Sequence, residues 1–419
     1  MKKVKTSAGH FEEQTQRIKL HVSELQIGMY VSELDRPWLE TPFLIQGFTL
    51  ETIDDVTTMA EYCEHVWVNA VQEAWVPPEE RKVGRHKPRP GLRYINKVSA
   101  SDEHRQSLGV HREARRLTKS LMDEARLGGA INTAQAKSTV SDCVHSILRN
   151  PDALLWMSKM RDKDEYTSEH CLNVCILAIA FGRHLGLEEE QLQQLGLCGL
   201  LHDVGKMRVP TEVINKPSQL TDEEYKIVKN HAIHGRNLLM SSPGVPHAAV
   251  DVAYSHHERL DGGGYPRGLK ASGISDNARM IAIVDAYDAM TAERCYAKAV
   301  PSTEALKEIL KCAGEQFDVR LAEQFIEMVG VYPPGSIVEL VNGCVAIVLN
   351  NNHRYRHLPK VLVVRNPAKR AVKEKVFNLG EVTGGSLSAS WLIHRVLIDG
   401  SHDVQLKIYQ DRGLQISFD

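Results

Sequence analysis

An adjacent histidine and aspartate, His202-Asp203, stand near the end of an apolar run from Leu195 to Val204, which Gly205 interrupts. The run is apolar enough for a buried helix, with the glycine as its stop signal. Two ionisable side chains therefore sit on the last turn of a buried helix, where they can reach a central cleft. A fold that buries such groups must give them partners, because an unpaired buried charge is very costly. Candidates are close in the text. His170 lies upstream in YTSEHCLNV, and the doublet His256-His257 ends a helical run that begins near Pro246 and is broken at Asp261-Gly-Gly-Gly. His231 is expected on a helix that opens with the capping box Thr221 and Glu224. Asp285 lies inside the apolar segment Ile274 to Met290. Imidazole nitrogen and carboxylate oxygen suit iron, manganese, zinc or nickel without any thiolate. In a doublet such as His202-Asp203, one residue can ligate a single ion while its neighbour's carboxylate bridges two, the arrangement of hydrolytic two-metal sites. Any one of these histidines alone reads as an ordinary core or surface residue; the set reads as a metal centre.

Three segments carry a resemblance: HDVGK (His202 to Lys206), HHERLDGGGYPRGL (His256 to Leu269) and DAYDAMTAER (Asp285 to Arg294). In order and spacing they resemble the HD-GYP family of cyclic-dinucleotide phosphodiesterases, a branch of the HD hydrolase superfamily, over roughly Pro151 to Val331. The resemblance implies an all-α catalytic domain of about seven helices within a multidomain α+β chain. It implies metal ligands at His170, His202, Asp203, His231, His256, His257 and Asp285, with Asp203 and Lys206 as catalytic residues. Lys206, Tyr265 and Arg294 would contact the substrate. Asp288 lies at i+3 from Asp285 on the same helix face; it would orient substrate or a ligand, unless it is an ordinary surface carboxylate. The expected cofactor is two divalent ions per chain, iron or manganese first, nickel or zinc as alternatives. The expected reaction is hydrolysis of cyclic di-GMP to pGpG, continuing to GMP, by a hydroxide shared between the ions.

Two departures from the family pattern matter. Members with a third metal carry a Glu four residues before the first histidine, where this chain has Tyr166, with Glu165 and Glu169 close by; two metals are therefore expected. After the last aspartate the family often reads R-P-Y-R or R-P-Y-K. Here the text is Arg294-Cys295-Tyr296-Ala297, with Lys298 displaced by one. A site lacking a polar contact discriminates poorly between purines, so 3′3′-cGAMP is the alternative substrate. A cyclic-dinucleotide sensor without turnover, acting through protein partners, is the alternative of another class, and a mononucleotide phosphohydrolase is a third.

The remaining text sets the domain plan over 419 residues. Residues 1–16 read as disordered. Residues 17–75 alternate as half-buried strands around one short helix, Leu50 to Tyr62, and resemble a small domain of unknown function often found before HD-GYP domains. Residues 76–100 form a Pro-rich basic linker with Arg81, Lys82, Arg85, Lys87, Arg89 and Arg93. Residues 101–150 read as two connecting helices that join the domains or pair with a second chain as a homodimer surface. Residues 151–331 are the catalytic domain, and residues 332–419 a β-rich appendage whose turn Asn342-Gly343 is a hairpin signal. A net charge of −2 gives no global field for a nucleic-acid polymer or a membrane. The N-terminus lacks an apolar core for a secretion signal, and the longest apolar stretch, Cys171 to Phe181, is too short to span a bilayer. The eight cysteines show no C-x-x-C pair, and Cys171 and Cys175 read as small buried hydrophobes of a reducing cytoplasm.

Overall fold

The computed structural model describes residues 10–36, 41, 48–50, 53–76, 94–159, 166–216, 218–292, 299–350, 357–383 and 385–411. They fall into two units, Met1–Pro90 and Gly91–Asp419. The chain is mostly helical, with two small antiparallel sheets.

In the first unit the alternating text forms β1 (His10–His21), β2 (Tyr30–Leu34), β3 (Phe48–Thr49) and β4 (His65–Val76), with α1 (Ile53–Tyr62) before β4. The sheet order is β1-β4-β2-β3. Val31, Leu34, Val66 and Val68 point inward, and Met59 of α1 closes over them. Residues 10–16 are strand, not disordered: they pair with residues 70–76 of β4 in unbroken register. That extension is held by backbone pairing to a partner about 60 residues away, which side-chain alternation does not reveal. The basic stretch 77–93 lies outside the described residues.

The second unit opens with α2 (Ala100–Arg126), α3 (Thr133–Arg149) and α4 (Pro151–Met157). Its centre is α5 (Tyr166–His184), whose residues 168–182 are all buried. Around it stand α6 (Glu189–Leu201), α7 (Thr211–Ile214), α8 (Asp222–Lys229), α9 (His231–Met240), α10 (His247–Ser255), α11 (Asp276–Thr291), α12 (Ser302–Lys311) and α13 (Val319–Val329).

Helices α2 and α3, which the sequence set apart as a connector, belong to this same core. Leu121, Met122 and Ala125 from α2, and Val140, Cys143, Val144 and Ile147 from α3, pack with α5 and α6. Their apolar faces look narrow because small and hydroxyl side chains fill the contacts; Thr118 and Ser146 are fully buried. Glu103 ties the two helices together, accepting from Ser146 at 2.6 Å and from Arg149 at 2.7 and 2.8 Å.

Beyond α13 the chain forms β5 (Ile337–Leu340), β6 (Val345–Asn350), β7 (Lys360–Arg365), β8 (Ala371–Asn378) and β9 (Ile393–Leu397), then α14 (Leu406–Asp411). The antiparallel order is β8-β7-β6-β5-β9. Asn342-Gly343 turns β5 into β6 as expected, and β9 pairs with β5 on its other side. No helix among the described residues is long and apolar enough to cross a membrane.

Candidate metal centre

Helix ends deliver the donors. His170 lies in the first turns of α5, His202 caps the C-terminus of α6, and Asp203 follows at the start of a short 3-10 turn, Val204–Arg208. His256 caps the C-terminus of α10, His257 is next, and Asp285 projects from α11. His231 is not on the helix with the capping box. Thr221 and Glu224 cap α8, the chain breaks at Asn230, and His231 opens α9.

Gly205 explains how α9 reaches the centre. A Cβ there would lie 1.9 Å from the His231 carbonyl oxygen and 2.3 Å from the Gly235 nitrogen. The start of α9 thus rests on bare backbone one residue past the His202-Asp203 doublet and its following valine. The sequence marked this glycine only as a helix stop; its main task is to let two backbones approach.

The seven donors gather as two adjoining sets, His170 with His202 and Asp285, and Asp203 with His231, His256 and His257. Within each set the ligand atoms lie within 4.8 Å of one another. Asp203 faces both: Oδ2 is 3.5 Å from His170 Nε2 and 3.4 Å from His202 Nε2, while Oδ1 is 3.3 Å from His231 Nε2 and 3.6 Å from His256 Nε2. Asp285 Oδ1 is 3.0 Å from His170 Nε2, and its Oδ2 is 4.0 Å from His257 Nδ1.

Four imidazoles are oriented from behind through Nδ1. His202 bonds the Gly199 carbonyl at 2.8 Å, His231 that of Val228 at 2.7 Å, and His256 that of Val252 at 3.0 Å. His170 bonds Asp288 Oδ2 at 2.7 Å. An N–H given to an oxygen at Nδ1 leaves Nε2 with its lone pair aimed at the centre, the arrangement that prepares a histidine to bind metal. His231 and His256 then face each other Nε2 to Nε2 at 3.3 Å, so that in this tautomer two lone pairs are opposed. His202 Nε2 and Asp203 Oδ1 are buried without a hydrogen-bond partner among the described residues. A divalent cation satisfies all of these atoms, and an all-nitrogen-and-oxygen set suits iron, manganese, nickel or zinc. The cluster is able to bind metal.

Electrostatics divide along the same line. Burial opposes charge on His170, but Asp203, Asp285 and Asp288 outweigh it and hold its pKa up at about 10. His202 is likewise raised, to about 9, by Asp203 and Asp285 against the effect of burial. Burial pushes His231 down to about 3, and burial with the neighbouring imidazoles drives His257 well below its ordinary value. Burial opposes ionisation of Asp203 and Asp285, yet Lys206 with the facing imidazoles, and for Asp285 His170 and His202, hold both carboxyls well below the usual range.

The other expected residues fall in different places. Lys206 Nζ pairs with Asp203 Oδ2, and its side chain is 20% exposed. Asp288 is buried and sits behind His170, so it supports a donor and is not a surface carboxylate. Tyr265 stacks on His257 with ring centroids 4.7 Å apart. In the glycine run, a Cβ on Gly264 would meet Arg259 N at 2.4 Å and Glu258 Cα at 2.5 Å, so that glycine is needed where the loop folds on its own backbone. Arg294 and the altered segment 295–298 lie outside the described residues, as do Glu165 and the side chain of Tyr166. Glu169 is buried and paired with Arg115 at 2.6 Å. Cys171 and Cys175 are fully buried; burial pushes the Cys171 thiol well up, which makes it an inert hydrophobe. Sequence reasoning missed Glu258. It is buried and accepts from the backbone of Arg267 at 2.7 Å and Leu269 at 2.8 Å, pinning the loop that carries Tyr265. Its position directly after the histidine doublet was the only signal.

Comparison with known proteins agrees with this geometry. Residues 152–321 match the HD domain family, and residues 17–136 match a domain of unknown function. The chain is 36% identical over 375 residues to a cyclic di-GMP phosphodiesterase of Pseudomonas aeruginosa, covering 86% of this chain and 89% of that one. It is 33% identical over 178 residues to a cyclic di-GMP phosphodiesterase of Thermotoga maritima, covering 42% of this chain and 48% of that one. Over 154 residues it is 36% identical to 3′3′-cGAMP-specific phosphodiesterase 1 of Vibrio cholerae, covering 37% of this chain and 36% of that one. With three motifs in order, and with likeness along nearly the whole of one relative, the chain belongs to the HD-GYP family of cyclic-dinucleotide phosphodiesterases.

Proposed function

We propose that the enzyme opens cyclic di-GMP to linear pGpG, and onward to GMP, at two divalent ions of iron or manganese. The observation that carries this reading is the convergence of seven nitrogen and oxygen donors on one buried centre, with four imidazoles already oriented from behind. Bound there, a pair of divalent ions supplies Lewis acidity toward a phosphodiester and an activated water near neutral pH. The chain's own side chains do the rest. Asp203 spans the two sets and fixes their separation. His170, His202 and Asp285 form one end, and His231, His256 and His257 the other. Lys206, partly exposed beside Asp203, offers a point charge to a phosphate oxygen. Asp288 keeps His170 turned inward. Tyr265 lines the substrate side next to His257, and Arg294 is assigned to the substrate on its motif alone. We place the reaction in the cytoplasm, a reading supported by the seven cysteines among the described residues, all free thiols.

A second reading, hydrolysis of 3′3′-cGAMP at the same site, is favoured by one observation: Ala297 stands where the family often has a basic residue. The test is metal analysis of anaerobically purified protein, coupled to product chromatography on a panel of cyclic dinucleotides. The expected result is two ions per chain and faster turnover of cyclic di-GMP to pGpG. Three ions per chain overturns the metal count. Faster turnover of 3′3′-cGAMP replaces the substrate, and binding without turnover in the loaded protein replaces catalysis with sensing.

A further inference from the structure

A short helix beside the metal donors carries side chains that no role above uses. Helix α8 buries none of its residues. It is held by its capping box and by Lys216, which pairs with Glu224 at 2.6 and 2.8 Å. Tyr225 and Lys229 stand four residues apart on one face of α8. Lys229 Nζ lies 4.4 Å from the centre of the Tyr225 ring and 5.0 Å from that of Tyr265. Tyr265 in turn stacks on His257, one of the donors, at 4.7 Å. A continuous ladder of His257, Tyr265, Lys229 and Tyr225 therefore runs outward from the centre.

Packing does not account for the outer rungs. Tyr225 is 47% exposed and contributes nothing to the core. Lys229 has no carboxylate partner among the described residues. The ring of Tyr265 is already engaged by His257 and Lys229, so the aromatic face open to a planar ligand is that of Tyr225. A cyclic dinucleotide has two phosphodiesters and two purines. While one diester is at the donors, the other diester and a base must be accommodated farther out, and they call for a cation and an aromatic face.

We propose that Tyr225 and Lys229 form a second subsite: Lys229 pairs with the phosphate that is not being cut, and Tyr225 stacks on a purine. This rests on the assignment of a cyclic dinucleotide as substrate. Neither residue touches the reacting atoms; both set affinity and selectivity.

The test uses the full-length, metal-loaded protein and the variants Tyr225→Ala, Lys229→Met and Tyr225→Phe. For each, kcat/KM is measured on cyclic di-GMP and on bis(p-nitrophenyl) phosphate, a diester with no second phosphate and no purine. For Tyr225→Ala and Lys229→Met the ratio of the two values should fall about tenfold, the usual scale of a lost base–aromatic stack. The loss should lie mainly in KM for the cyclic substrate, and Tyr225→Phe should keep the parent ratio. A ratio that does not move overturns the subsite, as does a loss of bound metal that lowers both activities together. A parent protein that cuts the small diester but no cyclic dinucleotide overturns the substrate assignment and the subsite with it. Normal cyclic turnover in the parent with an unmoved ratio in the variants overturns the subsite alone.

Discussion

The two halves of the metal centre use the same chemistry on different supports. His170, His202 and Asp285 stand on α5, α6 and α11, deep in the main core. Their two imidazoles face three carboxylates, Asp203, Asp285 and Asp288, and both are shifted toward the charged form. The other half has three imidazoles around the carboxylate of Asp203, with Asp285 reaching only His257, at 4.0 Å, and His231 and His257 are shifted toward the neutral form. His231 and His256 meet acceptor to acceptor at 3.3 Å, a contact that only a cation or an extra proton reconciles. The first half thus supplies counter-charges for its imidazoles from its own side chains, whereas the second brings three imidazoles together with fewer facing carboxylates. The orienting contacts do not follow that division. Backbone carbonyls orient His202, His231 and His256, and a side chain, Asp288, orients His170.

Because Asp203 belongs to both halves, its removal tests the contrast most severely. Asp203→Ala should lower cyclic-dinucleotide turnover by far more than the roughly 10–100-fold typical of a lost outer-shell partner, while circular dichroism shows the helices intact. Full activity in that variant would discard the shared-carboxylate geometry. Next in size is Gly205→Ala. Its Cβ would collide with the His231 carbonyl at 1.9 Å, so the start of α9 must shift, at a cost of about 1–3 kcal/mol. Bound metal should fall by the ion of the His231 half, with the His170 half still loaded. Equal loss from both halves would mean that they are not separable. Asp288→Ala acts on the opposite half: metal affinity should drop about 10–100-fold, through freed rotation of His170. An unchanged metal titration would show that α5 alone fixes that ring.

The donors were legible in the sequence because they came as doublets at the ends of apolar runs, with His202-Asp203 and His256-His257 the plainest. Their supports were not. The carbonyl ties at Gly199, Val228 and Val252 follow from helix-end geometry and leave no residue-type signal. Gly205 read as a stop, since one glycine looks the same whether it ends a helix or admits a neighbouring backbone. Asp288 read three ways at i+3 from Asp285, and only its contact with His170 chose among them. Helices α2 and α3 read as a connector because Thr118, Ser146 and Cys143 bury without looking apolar. The outer half of β1 was unreadable for a related reason, as its partner residues 70–76 are distant in the chain.

The contrast between compensated and uncompensated buried charge extends to Asp152, and a smaller effect measures it there. Asp152 lies in the first turn of α4, buried, with Arg183 of α5 as the opposing charge. Asp203 and Asp285, faced by several imidazoles, are held well below the usual carboxylate range. At Asp152 burial outweighs Arg183 and raises the carboxyl from 3.8 to about 6. The folded protein thus holds this proton more tightly than the unfolded chain does. Its contribution to stability is fully present below about pH 4, declines as pH rises toward 6, and stays lost above that. The gap corresponds to about 3 kcal/mol. Asp152→Asn keeps the shape and cannot ionise. It should match the parent near pH 4 and exceed it by up to that amount at pH 8, read from urea unfolding midpoints at each pH. A difference that stays constant across the range would mean that Arg183 compensates Asp152 as fully as the imidazoles compensate Asp203, and the number of facing cations would no longer decide which buried carboxylates ionise.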